Sequence, residues 1–213
     1  MNIINQNFKS RTTLLELLKK HGFDTQPYEG FSKNEIDTMT RNNTLDMLIT
    51  TPSEQLPLRK VYVKYFTDKT FSVNSVNEII MDLYENADEK YLLREKDDFV
   101  VIVTPEEPNE KLEGYLTTLF ETRGIFITAI NIRRLQFNVL NHKLQPREIH
   151  ILTEEEKQAF LVEKNVKNPR EDLPEISRFD PLALALFLKP GEICHFIRDS
   201  PVAISCHYYR VCV

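Results

Sequence analysis

The sequence has 213 residues, of which 41% are hydrophobic and 28% are charged, and its formal net charge is −5 at pH 7. This length can form a real hydrophobic core in one domain or two. The negative charge argues against an independent nucleic-acid-binding protein, because cationic side chains supply most of the non-specific affinity for phosphate. Because we find no run with the length and apolarity of a membrane span and no signal-peptide pattern at the start, we expect an intracellular protein without a membrane partner.

Two helices are predicted near the N-terminus. A stripe of leucines predicts the first over Phe8–His21, and Gly22 stands where helices commonly end. Ser32 and Glu35 have the spacing of a capping box, in which each side chain accepts a hydrogen bond from the other residue's backbone N–H. We therefore expect a second helix from Ser32 to about Arg41.

Strands and helices then alternate along the chain. The predicted strands are Leu45–Thr50, Lys60–Thr67, Phe99–Val103 and Ile125–Ile130, and the predicted helices are Ser75–Ala87, capped by Asn74, and Lys111–Arg123. Phe99–Val103 is the most apolar run and is typical of a strand buried on both faces, whereas the charged stretch Glu85–Asp98 indicates a solvated connection. This order predicts a three-layer α/β domain over residues 1–143.

The clearest local signals lie in residues 144–213. Thr153 and Glu156 have capping-box spacing and predict a helix over Glu154–Lys164, with an inner face made of Ala159, Phe160 and Val162. Asp180-Pro181 predicts a second, shorter helix that ends near Phe187. Two strands follow and form a hairpin, Glu192–Arg198 and Ser205–Val213, with a turn at Asp199-Ser200-Pro201. We expect a small α+β domain here, so the chain is α+β overall.

An ordered series of short motifs runs through this C-terminal part. It comprises Thr153-x-Glu155-Glu156, Leu173-Pro174-x-Ile176, Asp180-Pro181-Leu182-Ala183, Lys189-x-Gly191, Ile193, Ile197-Arg198-x-Ser200, Ala203 and Tyr209-Arg210-Val211. The series resembles the assembly domain that the fifth subunit of eukaryotic nuclear RNA polymerases shares with its archaeal RNA polymerase counterpart. The preceding strand–helix order is similar, more weakly, to the jaw domain of the eukaryotic subunit. Phe187 and Ile204 depart from the family, which has glycine at both places; such divergence is compatible with a large DNA virus or a fast-evolving protist as the source.

The resemblance implies a non-catalytic core subunit of a multisubunit DNA-dependent RNA polymerase that acts in transcription. Its C-terminal domain would dock on the largest subunit, beside the other core subunits, and its N-terminal domain would form part of the jaw around downstream duplex DNA. The residues expected to bind the partner are Asp180, Pro181, Lys189, Gly191, Arg198, Tyr209 and Arg210. The expected location is the nucleus of a cell, or the virion or cytoplasmic factory of a virus.

The same resemblance places one loop near DNA. The stretch that follows the buried strand supplies Pro108, Asn109 and Lys111, but it also contains Glu107 and Glu110. Carboxylates repel phosphate at contact distance even where salt limits the range of the repulsion to about 8 Å. We therefore expect a glancing, sequence-independent contact with phosphates, made only within the assembled enzyme.

Two other functions fit parts of the sequence. A nuclease of the restriction-endonuclease type would need Asp46 and an acid two residues before Lys64 to hold a divalent metal, but Tyr62 occupies that position. A free adaptor that reuses the assembly domain for another partner is the second alternative. No nucleophile motif and no glycine-rich phosphate loop is present, so we predict no catalytic residue and no cofactor.

The terminal hairpin contains three cysteines and two histidines. They are Cys194, Cys206, Cys212, His195 and His207. The close ligand pairs of structural zinc sites are missing, and neighbouring residues on a strand point to opposite faces. We therefore predict no metal site and interpret the cysteines as small buried hydrophobic residues.

Overall fold

The computed structural model describes residues 3–52, 58–66, 71–85, 93–95, 98–200 and 202–213. The chain divides into two compact units, Met1–Asn138 and Val139–Val213. This division falls shortly before Leu144, where the sequence places the start of the second domain. Within the described ranges, no helix combines the length and the apolar character that a membrane crossing requires.

The described residues of the first unit form four α-helices and four strands. The helices are α1 (Ile3–Lys20), α2 (Lys33–Arg41), α3 (Val73–Ile80), which continues as a π-helical turn over Met81–Glu85, and α4 (Glu110–Arg123), with 3₁₀ turns at Gln26–Tyr28 and Arg134–Gln136. The strands are β1 (Met47–Thr50), β2 (Lys60–Tyr65), β3 (Phe99–Thr104) and β4 (Phe126–Asn131). They form one sheet in the order β1-β2-β3-β4, with β1 antiparallel and the other three parallel.

The centre of this sheet is covered on both sides. All six residues of β3 and all six of β4 are buried. Consecutive side chains of a strand point to opposite faces, so complete burial requires packing on both faces. The prediction that Phe99–Val103 is buried on both faces is confirmed. Gly124 ends α4 in the left-handed conformation, with φ of 73°, where a side chain would be strained.

Two predictions about the first unit are wrong. Ser72, rather than Asn74, occupies the N-cap of α3, so Asn74 lies inside the first turn of the helix. The predicted solvated connection Glu85–Asp98 is wrong at two described residues, because Leu93 is 3% exposed and Asp98 is completely buried. The other described residues of this stretch are exposed, and residues 86–92 and 96–97 lie outside the described ranges. The Asp98 carboxylate accepts hydrogen bonds from the backbone N–H of Lys60 at 2.6 Å and of Arg94 at 2.8 Å. A charged residue is therefore buried here because two backbone donors satisfy its oxygens and Nε of Arg94 pairs with Oδ2 at 3.6 Å.

The second unit is built on a four-stranded sheet. Its strands are β5 (Glu148–Ile151), β6 (Glu175–Ile176), β7 (Ile193–Ser200) and β8 (Ile204–Cys212), and its helices are α5 (Glu154–Glu163), α6 (Pro169–Asp172) and α7 (Pro181–Ala185), with a 3₁₀ turn at Val139–Asn141. The strand order is β5-β7-β8-β6; β7 is antiparallel to both β5 and β8, and β6 is parallel to β8. The predicted hairpin is confirmed. Its predicted turn is misplaced, because Asp199 and Ser200 still belong to β7 and pair with β8; Pro201 lies outside the described residues.

Each face of this sheet has its own small core. One face carries the buried cluster of Ile176, Ala183, Leu186, Leu188, Cys194, Phe196 and Cys212. The other face carries Phe160 of α5 packed with Ile193 and Val211. The capping box of Thr153 and Glu156 is confirmed. The predicted inner face of α5 is only partly right, because Ala159 and Val162 are exposed. The core beneath α5 is small, and Phe160 is the buried residue through which the described helix packs on it.

Three described non-glycine residues of this unit adopt the left-handed backbone conformation, and one of them is Asn165, a residue type that tolerates it. Phe187 has φ of 48° and Ile204 has φ of 61°. These are the two positions at which the resemblance implies glycine, the residue that adopts this conformation most easily. Phe187 is buried, whereas Ile204 is 85% exposed. Packing can offset the strain at Phe187, but the Ile204 side chain gains little from burial.

We expect Ile204→Gly to stabilise the protein by about 1 kcal/mol, because glycine removes the strain of a β-branched residue at positive φ. The gain is smaller than the full strain because glycine also has more freedom in the unfolded chain. Urea unfolding of the full chain, followed by a probe in β7 or β8, measures the change. Val202→Gly is the matched control, since Val202 is exposed and does not have positive φ; it should destabilise slightly. Equal effects of the two substitutions would contradict the strain argument.

Candidate partner-binding groove

A groove of about 300 Å³ lies on one face of the second unit. We call it the arginine groove. It is lined by Gln145, Ile176, Asp180, Pro181, Leu182, Phe196, Arg198, Tyr208 and Arg210. Four of the predicted partner-binding residues therefore meet in one place: Asp180, Pro181, Arg198 and Arg210.

The floor of the arginine groove is set by the register of β7 and β8. Phe196 lies directly opposite Tyr208, and Arg198 lies opposite Cys206. Residues two apart on a strand share a face, so Phe196 and Arg198 project to the same side as Tyr208 and Arg210. The Phe196 and Tyr208 rings stack with centroids 5.1 Å apart and an interplanar angle of 18°. Phe196 is buried, and it gives this surface a rigid base.

Both arginines of the groove lie around one aromatic ring. The guanidinium carbon of Arg198 is 4.8 Å from the Tyr208 ring centroid, and that of Arg210 is 6.0 Å away. Partial burial raises the pKa of Tyr208, which the two positive charges only partly offset, so its hydroxyl stays protonated and can donate a hydrogen bond. Among the described residues of this unit, the ion pairs of lysine and arginine are all made by residues other than Arg198 and Arg210. Arg198 and Arg210 are therefore available to an acidic or carbonyl-rich partner surface.

The start of α7 forms the opposite wall. Asp180 is the N-cap residue, and its carboxylate accepts a hydrogen bond from the Leu182 N–H at 2.8 Å. Pro181 occupies the first helical turn, where a missing N–H costs nothing. Both residues are exposed, although they hold the helix start in place. This wall therefore presents a rigid edge with one carboxylate that is already hydrogen-bonded.

Three of the predicted partner-binding residues do not line the groove. Tyr209 lies on the opposite face of the sheet, where its ring packs on Phe160 at 4.2 Å. Gly191 has φ of 90°, and its N–H donates to the Cys212 carbonyl, so it serves a turn that only glycine adopts easily. The backbone N–H of Lys189 donates to the Glu192 carboxylate at 2.8 Å in the same turn. Tyr208 is not among the residues predicted from the sequence, although period-two alternation from Arg210 could have identified it.

The histidines and cysteines of the hairpin lie on opposite faces. Nε2 of His195 is 3.0 Å from Nδ1 of His207, and burial lowers the pKa of His195, helped by the neighbouring His207. Burial raises the pKa of Cys194 and of Cys212 to about 12, so both thiols are neutral at pH 7. Cys206 is exposed, contrary to the prediction that all three are buried. No group of three potential ligands suited to a metal ion occurs in the part of the chain that the structure describes.

The predicted DNA-proximal residues lie at the start of α4. Asn109 is the N-cap, and its Oδ1 accepts a hydrogen bond from the Leu112 N–H at 2.9 Å. Lys111 is exposed and Pro108 is partly buried. Glu107 pairs with Arg134 at 2.9 Å, so one of the two loop carboxylates is already neutralised.

Asp46, the carboxylate that a nuclease would need to bind a metal, makes hydrogen bonds within its own unit. Asp46 Oδ2 accepts from the Tyr62 hydroxyl at 3.1 Å and from Lys64 Nζ at 3.4 Å, and Oδ1 accepts from the Tyr65 N–H at 3.0 Å. Its two oxygens are therefore used within the first unit. The geometry is that of a carboxylate that fastens β2 to the segment before β1.

Comparison with known proteins identifies the family. A family model described as "RNA polymerase Rpb5, C-terminal domain" matches residues 137–212. DNA-directed RNA polymerase subunit Rpo5 of Pyrococcus abyssi is 47% identical over 78 residues, which cover 37% of this chain and 92% of the archaeal subunit. The chain belongs to the Rpb5 family of RNA polymerase subunits.

Other members of the Rpb5 family extend the match. Rpo5 of Thermoplasma volcanium is 42% identical over 81 residues, covering 36% of this chain and 90% of that subunit. The rpabc1 subunit of RNA polymerases I, II and III from Dictyostelium discoideum is 23% identical over 213 residues, which span the whole length of both proteins. The archaeal relatives therefore match one part of this Rpb5-family chain, and the eukaryotic relative matches both units. The arginine groove lies within the part that the family model covers.

Proposed function

We propose that this protein is a non-catalytic subunit of a multisubunit DNA-directed RNA polymerase. The second unit docks on the largest subunit through the arginine groove, and the first unit forms part of the jaw around downstream DNA. The observation that carries the proposal is the 47% identity to an archaeal polymerase subunit across 92% of that subunit. The two guanidinium groups beside Tyr208, which have no carboxylate partner among the described residues, give this surface the donors that a partner's carboxylates or carbonyls require.

The hydrogen bonds of the Asp46 carboxylate support a role without an active site. The carboxylate accepts three hydrogen bonds from within its own unit, which leaves poor geometry for a divalent metal. The protein would then act where the polymerase acts: inside the cell, in the nucleus of a cellular source, or in the virion or cytoplasmic factory of a virus.

Affinity purification of the tagged protein from its native source tests the proposal. We expect the large polymerase subunits to be recovered in amounts equal to the bait. Recovery of another stoichiometric partner without polymerase subunits would overturn the proposal in favour of the adaptor alternative. Recovery of the bait alone would overturn it too.

We expect the DNA contact to need the assembled enzyme, because the isolated chain carries a net charge of −5. In the assembled polymerase, the Asn109 amide, Lys111 and the free N–H groups at the start of α4 would face phosphate. Gel-shift assays of the purified chain at physiological salt should show no binding to duplex DNA. A photo-crosslinker at Lys111, which spares the cap at Asn109, should label downstream DNA in the whole polymerase.

The control crosslinker goes at Glu121 on the same helix. It is also exposed and lies roughly 15 Å farther along α4, at a rise of about 1.5 Å per residue. It should label DNA much less. Equal labelling from both positions, or tight binding by the free chain, would contradict the proposed contact.

A further inference from the structure

A pocket of about 430 Å³ lies in the first unit, beside α1, the 3₁₀ turn Gln26–Tyr28 and α2. Its walls are mainly apolar and aromatic, and one arginine is part of them. The residues that matter for its chemistry are Phe8, Arg11, Leu15, Tyr28, Phe31 and Ile36. Leu15 and Ile36 belong to the buried core, so the base of the pocket is fixed by packing. A concave, mainly apolar site with a few polar groups that orient the ligand is the usual form of a ligand pocket.

The arginine of this pocket is buried to an unusual degree. Arg11 is 3% exposed, and its guanidinium carbon lies 5.8 Å from the Tyr28 ring centroid and 5.4 Å from that of Phe31. Nη1 donates to the Leu45 carbonyl at 3.0 Å. Nε is enclosed and has no acceptor among the described residues. A guanidinium group has five N–H donors, so one carbonyl and two ring faces leave part of its hydrogen-bonding capacity unused.

No carboxylate of the described part of this unit balances the Arg11 charge. The acids at the pocket rim have other partners: Glu29 pairs with Lys19 at 3.1 Å and accepts from Thr25, and Glu16 accepts from Asn138 at 3.2 Å. Burial accordingly lowers the pKa of Arg11. A buried cation without a counter-anion is costly, and a carboxylate in bidentate contact is the partner that best fits a guanidinium group.

We propose that this pocket binds a carboxylate carried on an aromatic or aliphatic body, with Arg11 as the anion-binding group. Lys19 in the lining is paired with Glu29, so Arg11 is the lining cation that a single negative charge would match, and the apolar walls match the body of such a ligand. The rim carboxylates of Glu16 and Glu29 disfavour a dianionic phosphate. The same chemistry is offered by a small organic acid and by a polypeptide that ends in an apolar residue with a free C-terminal carboxylate. This inference is independent of the proposed polymerase role.

Titration of the full chain with phenylacetate and with 2-phenylethanol, followed by amide NMR shifts, tests the charge requirement. We expect phenylacetate to bind about tenfold more tightly, because a charged hydrogen bond is lost in the neutral alcohol. The shifts should be largest in α1 and α2. Equal affinity for the two compounds, or no shift near the pocket, would overturn the proposal.

Two substitutions on exposed threonines locate the site without touching Arg11. Thr12 lines the pocket and donates to the Phe8 carbonyl, whereas Thr38 lies outside the pocket and donates to the Asn34 carbonyl in the same way. Thr12→Trp should abolish phenylacetate binding, and Thr38→Trp should leave it unchanged. Arg11→Met should remove the preference for the acid where the variant folds. Retained binding in Thr12→Trp would overturn the assignment of the pocket.

A pair of peptides separates the two sources of the carboxylate. Acetyl-Gly-Phe with a free carboxylate is compared with its C-terminal amide. Tighter binding of the acid than of both the amide and phenylacetate supports a chain terminus as the ligand. Tighter binding of phenylacetate than of the peptide acid supports a small organic acid. No preference for either acid over its neutral counterpart would overturn the carboxylate chemistry.

Discussion

Replacing Arg198 and Arg210 together with alanine is expected to weaken association with the largest polymerase subunit by about 2–5 kcal/mol, or roughly thirtyfold or more. Both guanidinium groups project into the arginine groove, and among described residues neither has a carboxylate partner that would compete with the docking surface. Folding stability should change by only about 1 kcal/mol, because the loss is limited to contacts with the Tyr208 ring. Co-purification of the tagged variant from the native source, beside the parent protein, measures the effect.

Arg170→Ala is the control for this experiment. Arg170 is exposed in α6 and does not line the arginine groove, so its loss should leave co-purification unchanged. Thermal unfolding of each purified variant separates docking from folding. If the double variant loses stability but still co-purifies in parental amounts, the two arginines serve only the fold of their own unit, and the docking assignment is wrong.

The elements that sequence predicted well are those fixed by local chemistry. The capping boxes at Ser32 and Thr153 depend on residues three positions apart, so their spacing alone determines where α2 and α5 begin. The strand β3 was recognisable because complete burial leaves an uninterrupted apolar run. In each case the signal and the structure it specifies lie within a few residues of one another.

The groove itself depends on information that is not local. Tyr208 and Tyr209 are adjacent and chemically alike, but only the pairing of β8 with β7 decides which one faces Arg198. Tyr209 is the tyrosine predicted from the sequence, but it packs beneath α5 instead. Val162 fits a helical apolar face but remains exposed, because the core under α5 is too small to cover it. Register and the size of the facing core arise from tertiary contacts between distant segments.

The buried carboxylate of Asp98 leads to the second prediction. Asp98→Ala should lower the stability of the first unit by about 3 kcal/mol, because the backbone N–H groups of Lys60 and Arg94 lose a charged acceptor in a buried site. Hydrogen exchange of the β2 and β3 amides measures this change within one unit. Protection there should fall by roughly a hundredfold if those amides exchange through global opening of that unit.

Two further aspartate substitutions show which interaction of Asp98 accounts for the loss of stability in Asp98→Ala. Asp98→Asn keeps one side-chain carbonyl acceptor and should lose about half as much stability as Asp98→Ala. Asp37→Ala removes a carboxylate that pairs with Arg41 at 2.7 Å on the surface of α2, and such a pair contributes about 0.5 kcal/mol or less. A ranking in which Asp37→Ala costs as much as Asp98→Ala would mean that charge alone, rather than buried hydrogen bonding to the backbone, accounts for the effect. The Arg94 guanidinium also pairs with Asp98 at 3.6 Å, but it is half exposed and contributes about as little as a surface pair. The ranking expected here therefore attributes most of the stability to the two backbone donors that Asp98 satisfies at the start of β2 and before β3.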